Sequence, residues 1–332
     1  MTRIAVLGAG SWGTTLGDLL ARKGHDVHLW ALEPEVVETI NGSHVNAVFL
    51  PESPLAPSLR ATGDAAEAVA RAELILSAAP SHAVRSVLDS VARAMPAGAV
   101  IVSATKGIEM DSLALMSEIA GALLPGARFA ALSGPSFAQE VYEGQPTAVV
   151  AASADDAVAR QVQQVFSTPR FRVYTNRDVT GVELAGALKN VIAVAAGMLE
   201  GLGLGHNPRA ALITRGLAEI ARLGSALGAD PQTFAGLAGM GDLILTTTGS
   251  LSRNRALGVA LGQGETLEAF RSRHRSVAEG ANTSRAAAAL AQRKGVEMPI
   301  TAKVCEILFD GKSARDTVPE LMERDLKSEQ WR

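Results

Sequence analysis

Apolar residues fall along the first 175 positions in short bursts. Residues 3–7, 26–30, 74–78, 99–103, 128–132 and 148–152 are brief, apolar and often β-branched, and each reads as a strand. Between them the step lengthens. Within residues 81–94, Val84, Val87, Leu88 and Val91 recur at three- and four-residue intervals, which predicts a helix. Strands that are apolar on both faces and separated by helices predict a parallel sheet covered on both sides. Near Asn176 the pattern changes. From Asp178 to about Met322 nearly every segment fits a helix rich in Ala, Leu and Gly. Gly and Pro mark the ends at 205–208, 228–231 and 295–299. The expected organisation is an α/β sheet domain over residues 1–177 and an all-α domain over 178–332.

Composition narrows the class. A chain of 332 residues with 47% hydrophobic and 20% charged residues is long enough for two cores and too apolar for a disordered protein. Thirty-one Lys and Arg against 34 Asp and Glu leave a net charge of −3, which gives no electrostatic reason to expect nucleic acid or an anionic membrane as partner. With one cysteine, Cys305, no internal disulfide can form, no Cys/His cluster offers a zinc site, and a reducing, cytoplasmic compartment fits. The longest apolar run, 191–199, has nine residues. A bilayer span needs ~20, so no membrane span is expected.

Four segments carry candidate chemistry. Gly8-Ala9-Gly10-Ser11-Trp12-Gly13 follows the first strand and opens a helix running to about Arg22. In such a turn Gly8 permits the tight bend, Gly10 admits a pyrophosphate to the backbone, and Gly13 lets the helix approach its strand. The helix N-terminus then offers free N–H groups to the phosphates. Dinucleotide binding is the expected role. Asp26 has a tempting spacing for a ribose ligand but starts the second strand, at the wrong edge of the sheet. Glu33, after that strand, has no neighbouring Arg or Lys to meet a 2′-phosphate, which favours NAD over NADP; it reads equally well as a solvated residue ahead of the next helix.

Lysine is scarce, seven of 31 basic residues, and Lys189 lies on a helical face shared with Val182, Ala185, Gly186 and Ala193. It reads either as a snorkelling surface lysine or as an amine held in a cleft, where its pKa falls enough for proton exchange near neutrality. Asp242, in Gly239-Met240-Gly241-Asp242, reads as a helix cap or a site carboxylate. Ser252-Arg253-Asn254 at a helix start suits an oxyanion such as phosphate, or simple capping. Thr105-Lys106-Gly107 and Gly134-Pro135-Ser136-Phe137-Ala138 each follow a strand, where ligands of open parallel sheets bind.

Taken together, G-A-G-S-W-G, A-T-K-G at 104–107, S-G-P-S-F-A at 133–138, L-K-N-V-I-A at 188–193, T-R-G-L-A-E at 214–219, G-M-G-D-L at 239–243, S-R-N-R at 252–255 and E-M-P-I at 297–300 resemble the bacterial NAD(P)-dependent sn-glycerol-3-phosphate dehydrogenase family, collinearly from about residue 3 to about 325. The resemblance implies a Rossmann-type sheet domain followed by a helical domain, in an enzyme that reduces dihydroxyacetone phosphate to sn-glycerol 3-phosphate for phospholipid synthesis, with a homodimer expected. It implies NAD or NADP contacts at Gly8, Gly10, Ser11, Trp12, Gly13, Lys106, Ala138, Arg253, Val277 and Glu279. It implies substrate contacts at Lys106, Gly134, Ser136, Lys189, Asp242, Ser252, Arg253 and Asn254, with Lys189 as the proton donor and acceptor. Lys106 and Arg253 are expected to lower its pKa. Where many members carry Arg, Lys or His after the second strand, this chain has Ala31-Leu32-Glu33.

Overall fold

The computed structural model describes residues 1–273, 278–323, 325–326 and 328–329. The N-terminal half alternates β1 (Arg3–Leu7), α1 (Ser11–Arg22), β2 (Asp26–Trp30), α2 (Pro34–Ser43), β3 (Arg60–Thr62), α3 (Ala65–Val69), β4 (Leu74–Ser77), α4 (Val84–Val91), β5 (Val100–Ser103), α5 (Met116–Leu123), β6 (Arg128–Ser133), α6 (Ala138–Tyr142), β7 (Thr147–Ala152), α7 (Asp156–Phe166) and β8 (Phe171–Asn176). These strands form one sheet in the order β3-β2-β1-β4-β5-β6-β7-β8. Buried Val, Ile and Leu side chains cover both faces, as their unbroken apolar runs require.

Four features depart from the pattern reading. β3 was not anticipated, because it is a three-residue edge strand with an exposed arginine. β8 was not anticipated either; it is the opposite edge, burying Phe171 and Val173 while Arg172 and Tyr174 face outward. The sheet is also not wholly parallel, since β6 and β7 pair antiparallel. The intervening α6 has five residues. At ~1.5 Å per residue it advances about 7 Å, too little to carry the chain back along a six-residue strand of about 20 Å. The expected helix over 81–94 is a 3₁₀ turn at Ser81–Ala83 followed by α4.

After β8 the described chain is helical: α8 (Val179–Gly201), α9 (His206–Ala226), α10 (Pro231–Phe234), a π turn Leu237–Gly241, α11 (Asp242–Thr248), α12 (Arg253–Gly262), α13 (Leu267–Arg273), α14 (Glu279–Lys294), α15 (Pro299–Phe309) and α16 (Ala314–Met322). α8 is the axis of this half and is buried on every side from Gly181 to Leu199. It alone among the described helices is long and apolar enough to cross a membrane, and its apolar stretch lies wholly inside the protein. Its second half crosses α12 at backbone contact: a Cβ on Gly197 would lie 2.1 Å from the Arg255 carbonyl, and one on Gly258 would lie 2.0 Å from that of Val194. The core of this half continues onto the sheet through Ala131, Val150 and Ala152.

Candidate active site

The glycine turn has the geometry its sequence implies. Gly8 sits at φ +114°, and a Cβ there would meet the Ala79 nitrogen at 2.9 Å. A Cβ on Gly13 would lie 2.0 Å from the Gly8 carbonyl, so only glycine lets α1 approach β1 this closely. A Cβ on Gly10 would meet nothing within 4 Å, which leaves room for a ligand against the backbone. Gly10 caps α1 with no side-chain hydrogen bond, so the first N–H groups are free for an anion. Ser11 donates its hydroxyl to the Phe49 carbonyl at 2.6 Å, and the buried Trp12 indole Nε1 has no partner. Ala138 opens α6 against α1, its carbonyl accepting from Thr15 at 3.3 Å. Glu33 is half-buried just before α2 and makes no cap bond; the preceding strand end, Trp30, accepts the Gly8 N–H at 3.2 Å. Asp26 pairs with Arg3 at 2.7 Å at the opposite edge. These features fit a dinucleotide laid across the strand ends, its pyrophosphate over Gly10.

The loops after β5 and β6 face α8 and α11. Lys106 donates to the Gly134 carbonyl at 3.0 Å, and Ser136 donates to the same oxygen at 3.0 Å. Gly134 holds φ +138°, and a Cβ there would strike Val149 Cα at 2.9 Å. Asp242 is 1% exposed and bridges two cations, Lys189 Nζ at 2.6 Å on one oxygen and Lys106 Nζ at 2.7 Å on the other. Lys189 Nζ also donates to the Thr246 hydroxyl at 2.7 Å. Thr246 spends its own proton on the Asp242 carbonyl at 2.6 Å, so it meets the amine as an acceptor. Two of the three ammonium donors are thus held, to Asp242 and Thr246.

Burial pushes the Lys189 ammonium down to about 7, the neighbouring Lys106 acts in the same direction, and Asp242 opposes both. The expected contribution of Arg253 is corrected here: removal from water does most of the lowering, and Arg253 is not among its causes.

Arg253 opens α12 and, among the described residues, makes no hydrogen bond or ion pair. By area it is exposed, yet dense surroundings lower its pKa, with Glu279 opposing, as on the wall of a concave cleft. Ser252 caps that helix by accepting from the Arg255 N–H at 3.2 Å. Asn254 has both ends of its amide engaged, donating to Asn190 at 2.9 Å and accepting from the Gly280 N–H at 2.9 Å. It therefore ties α8, α12 and α14 together behind Arg253. Glu279 opens α14 and accepts from the Ser81 N–H at 3.0 Å and the Ser81 hydroxyl at 2.6 Å, joining the helical half to the loop after β4. Val277 lies outside the described residues.

Thr246 and Asn190 went unread in the sequence. Thr246 stands four residues after Asp242 on the same helical face, and Asn190 adjoins Lys189, so spacing alone carried their signal.

A nucleotide-binding sheet whose loops after β5 and β6 meet a buried lysine and the carboxylate it shares with Lys106 defines a dehydrogenase of the two-domain type, with a helical C-terminal half. Two family models match the chain, described as NAD-dependent glycerol-3-phosphate dehydrogenase N-terminus, over residues 3–159, and C-terminus, over 178–319. The glycerol-3-phosphate dehydrogenase (NAD(P)+) of Geobacter sulfurreducens is 58% identical over 332 residues, covering 99% of each chain. The crystal structure of glycerol-3-phosphate dehydrogenase from Coxiella burnetii superposes with a TM-score of 0.94 at 41% identity, covering 97% of this chain and 99% of that one. That of the Saccharomyces cerevisiae enzyme gives 0.82 at 27% identity, covering 97% and 99%. The chain belongs to the NAD(P)-dependent glycerol-3-phosphate dehydrogenase family and is an oxidoreductase that uses NAD or NADP.

Proposed function

We propose that the chain reduces dihydroxyacetone phosphate to sn-glycerol 3-phosphate, reversibly, with Lys189 as proton donor and acceptor, and so supplies the backbone of phospholipids. The observation that carries this reading is the Lys189–Asp242–Lys106 cluster, in which one carboxylate holds two amines at 2.6 and 2.7 Å. The nicotinamide, when bound, supplies or takes up the hydride at the substrate's C2. Negative charge then develops on the C2 oxygen, and Lys189 delivers a proton there. With the folded pKa near 7, the amine gives up and regains that proton at neutral pH. Arg253 and the free N–H groups opening α12 bind the phosphate, while Asn254 holds that helix in place from behind. Anchoring the distant phosphate fixes the carbonyl within hydride range. The unit of 1–177 is proposed as the dinucleotide-binding domain and 178–332 as the substrate domain.

Following NADH and NADPH absorbance with dihydroxyacetone phosphate, and with unphosphorylated dihydroxyacetone, tests the reading. Turnover is expected with the phosphate ester and loss of most kcat/KM without it; equal use of both ketones contradicts the role of Arg253. NADH is the expected better donor, on the strength of Glu33. A homodimer in the cytoplasm is proposed, supported by the exposed apolar side chains Met240, Ile244 and Leu251 and by the single thiol. A single-chain mass in light scattering would overturn the dimer.

A further inference from the structure

The chemistry above leaves Glu183 unused. It lies on α8, is 7% exposed, and among the described residues makes no ion pair. Burial lifts its carboxyl to about 7. A buried carboxyl without a cation is costly to keep. Its two oxygens accept from the Ser117 N–H at 2.9 Å and from the Ser117 hydroxyl, in the first turn of α5. α5 terminates the segment that begins with Lys106. That segment is tied to α4 and folded on itself: Arg85 of α4 grips Glu109 through two bonds of 2.7 Å, Leu113 donates to the Glu109 carbonyl at 3.0 Å, and Glu109 donates to that of Ala114 at 3.0 Å. Leu113 is held at φ +64°, a left-handed conformation that costs a leucine energy and persists only where its surroundings impose it.

The contacts form a closed circuit on one helix. Glu183, Gly186, Lys189 and Asn190 stand at i, i+3, i+6 and i+7 of α8. Glu183 holds the far end of the Lys106 segment. Gly186 packs against the Lys106 stem, since a Cβ there would lie in ordinary contact with Lys106 Cγ at 3.5 Å while crowding Ser133 Oγ at 2.7 Å. Lys106 then reaches Asp242, Asp242 reaches Lys189, and the circuit returns to α8.

We propose that Glu183 is a positioning residue: by holding the start of α5 against α8, it fixes Lys106 relative to Lys189. This rests on the reading of Lys106 as a substrate-binding group.

The test is a double-mutant cycle on the full chain with Glu183→Ala, Lys106→Ala and both, measuring kcat/KM for dihydroxyacetone phosphate and, by calorimetry, the affinity for glycerol 3-phosphate. Glu183→Ala is expected to lower kcat/KM by about tenfold or more, mainly through KM, and to cost little further once Lys106 is alanine. Glu183→Gln, whose oxygen still accepts from Ser117, should restore kcat/KM to within about threefold of wild type. If Glu183→Ala folds poorly, Ser117→Ala removes one of the two bonds and follows the same cycle with a smaller loss. Losses that simply add, or a lower Tm with kcat/KM unchanged, overturn the proposal alone. Wild-type kcat/KM in Lys106→Ala overturns the site reading and the proposal together.

Discussion

In the proposed mechanism Lys189 serves as acid and base because three influences on it act in opposite senses. Burial and Lys106 favour the neutral amine, and Asp242 favours the ammonium, with the balance near 7. The sign of each pH effect follows. Reduction of the ketone needs the protonated amine, so its rate should fall as pH rises through about 7; oxidation of the alcohol needs the neutral amine and should rise through the same range. Lys106→Met removes a cation that lowers the pKa and should move both profiles to higher pH. Asp242→Asn removes the opposing charge and should move them to lower pH, besides costing turnover. Paired pH–rate profiles in the two directions check this, and profiles that do not move would remove Lys189 as the titrating group. Arg253, which makes no hydrogen bond or ion pair among the described residues, should act mainly on binding. Arg253→Ala is expected to raise KM for the phosphate ester by about tenfold or more, the loss of one charge-assisted pair of ~1.5–3 kcal/mol. A change confined to coenzyme affinity would contradict the phosphate assignment.

At the scale of elements, the site depends on how closely α8 and α12 cross. Gly197 and Gly201 of α8 meet Gly258 and Gly262 of α12 backbone to backbone, and this sets how far α12, which begins with Arg253, stands from the helix that carries Lys189. These glycines meet within one chain. Gly258→Ala inserts a methyl where the Val194 carbonyl is 2.0 Å away, so the helices must separate. Overpacking of this kind costs typically ~1–3 kcal/mol. A drop in Tm together with a raised KM for the phosphate ester is expected from calorimetry and steady-state rates, and a variant with unchanged Tm and KM would show that the crossing distance is not what sets the site. The strands around the glycine turn were legible because continuous apolar runs have one structural meaning in an alternating chain. The edge strands β3 and β8 were not, since an edge needs only one buried face and a few residues.

For the whole molecule, buried ionisable groups couple stability to pH. Glu183 and Glu219 are both lifted from 4.5 to about 7 by burial, so the folded chain binds more protons than the unfolded one between those values, and their contribution to stability falls as pH rises through that window. Lys189 is lowered from 10.5 to about 7, so the folded chain binds fewer protons there, and its contribution grows as pH rises from about 7. Glu219 caps α15 through Ile300 and Thr301, and no group of the Lys189–Asp242–Lys106 cluster is among the causes of its shift, which makes it the cleaner probe. In thermal melts, Glu219→Gln should flatten the decline of Tm between pH 4.5 and about 7, whatever its effect on absolute stability; an unchanged slope would contradict the assignment. The two-part architecture was readable because the pattern changes near Asn176 from alternating strands and helices to helices alone, and the motifs pointed to Lys106, Lys189 and Asp242, which the structure brings within hydrogen-bond distance of one another. What could not be read was which of several polar residues ends up with its hydrogen bonds already spent. Asn254 has its amide oxygen and one N–H spent on Gly280 and Asn190, so only its second N–H is left for the phosphate the sequence assigned to it. Thr246 looked like one of three threonines, but it alone meets the Lys189 amine.

The most direct measurement is turnover of Lys189→Met alongside its affinity for NADH. Methionine keeps the length and apolar stem while removing the exchangeable proton. A fall in kcat of about 10²-fold or more with coenzyme affinity unchanged is predicted. Turnover within a few-fold of wild type would contradict the account.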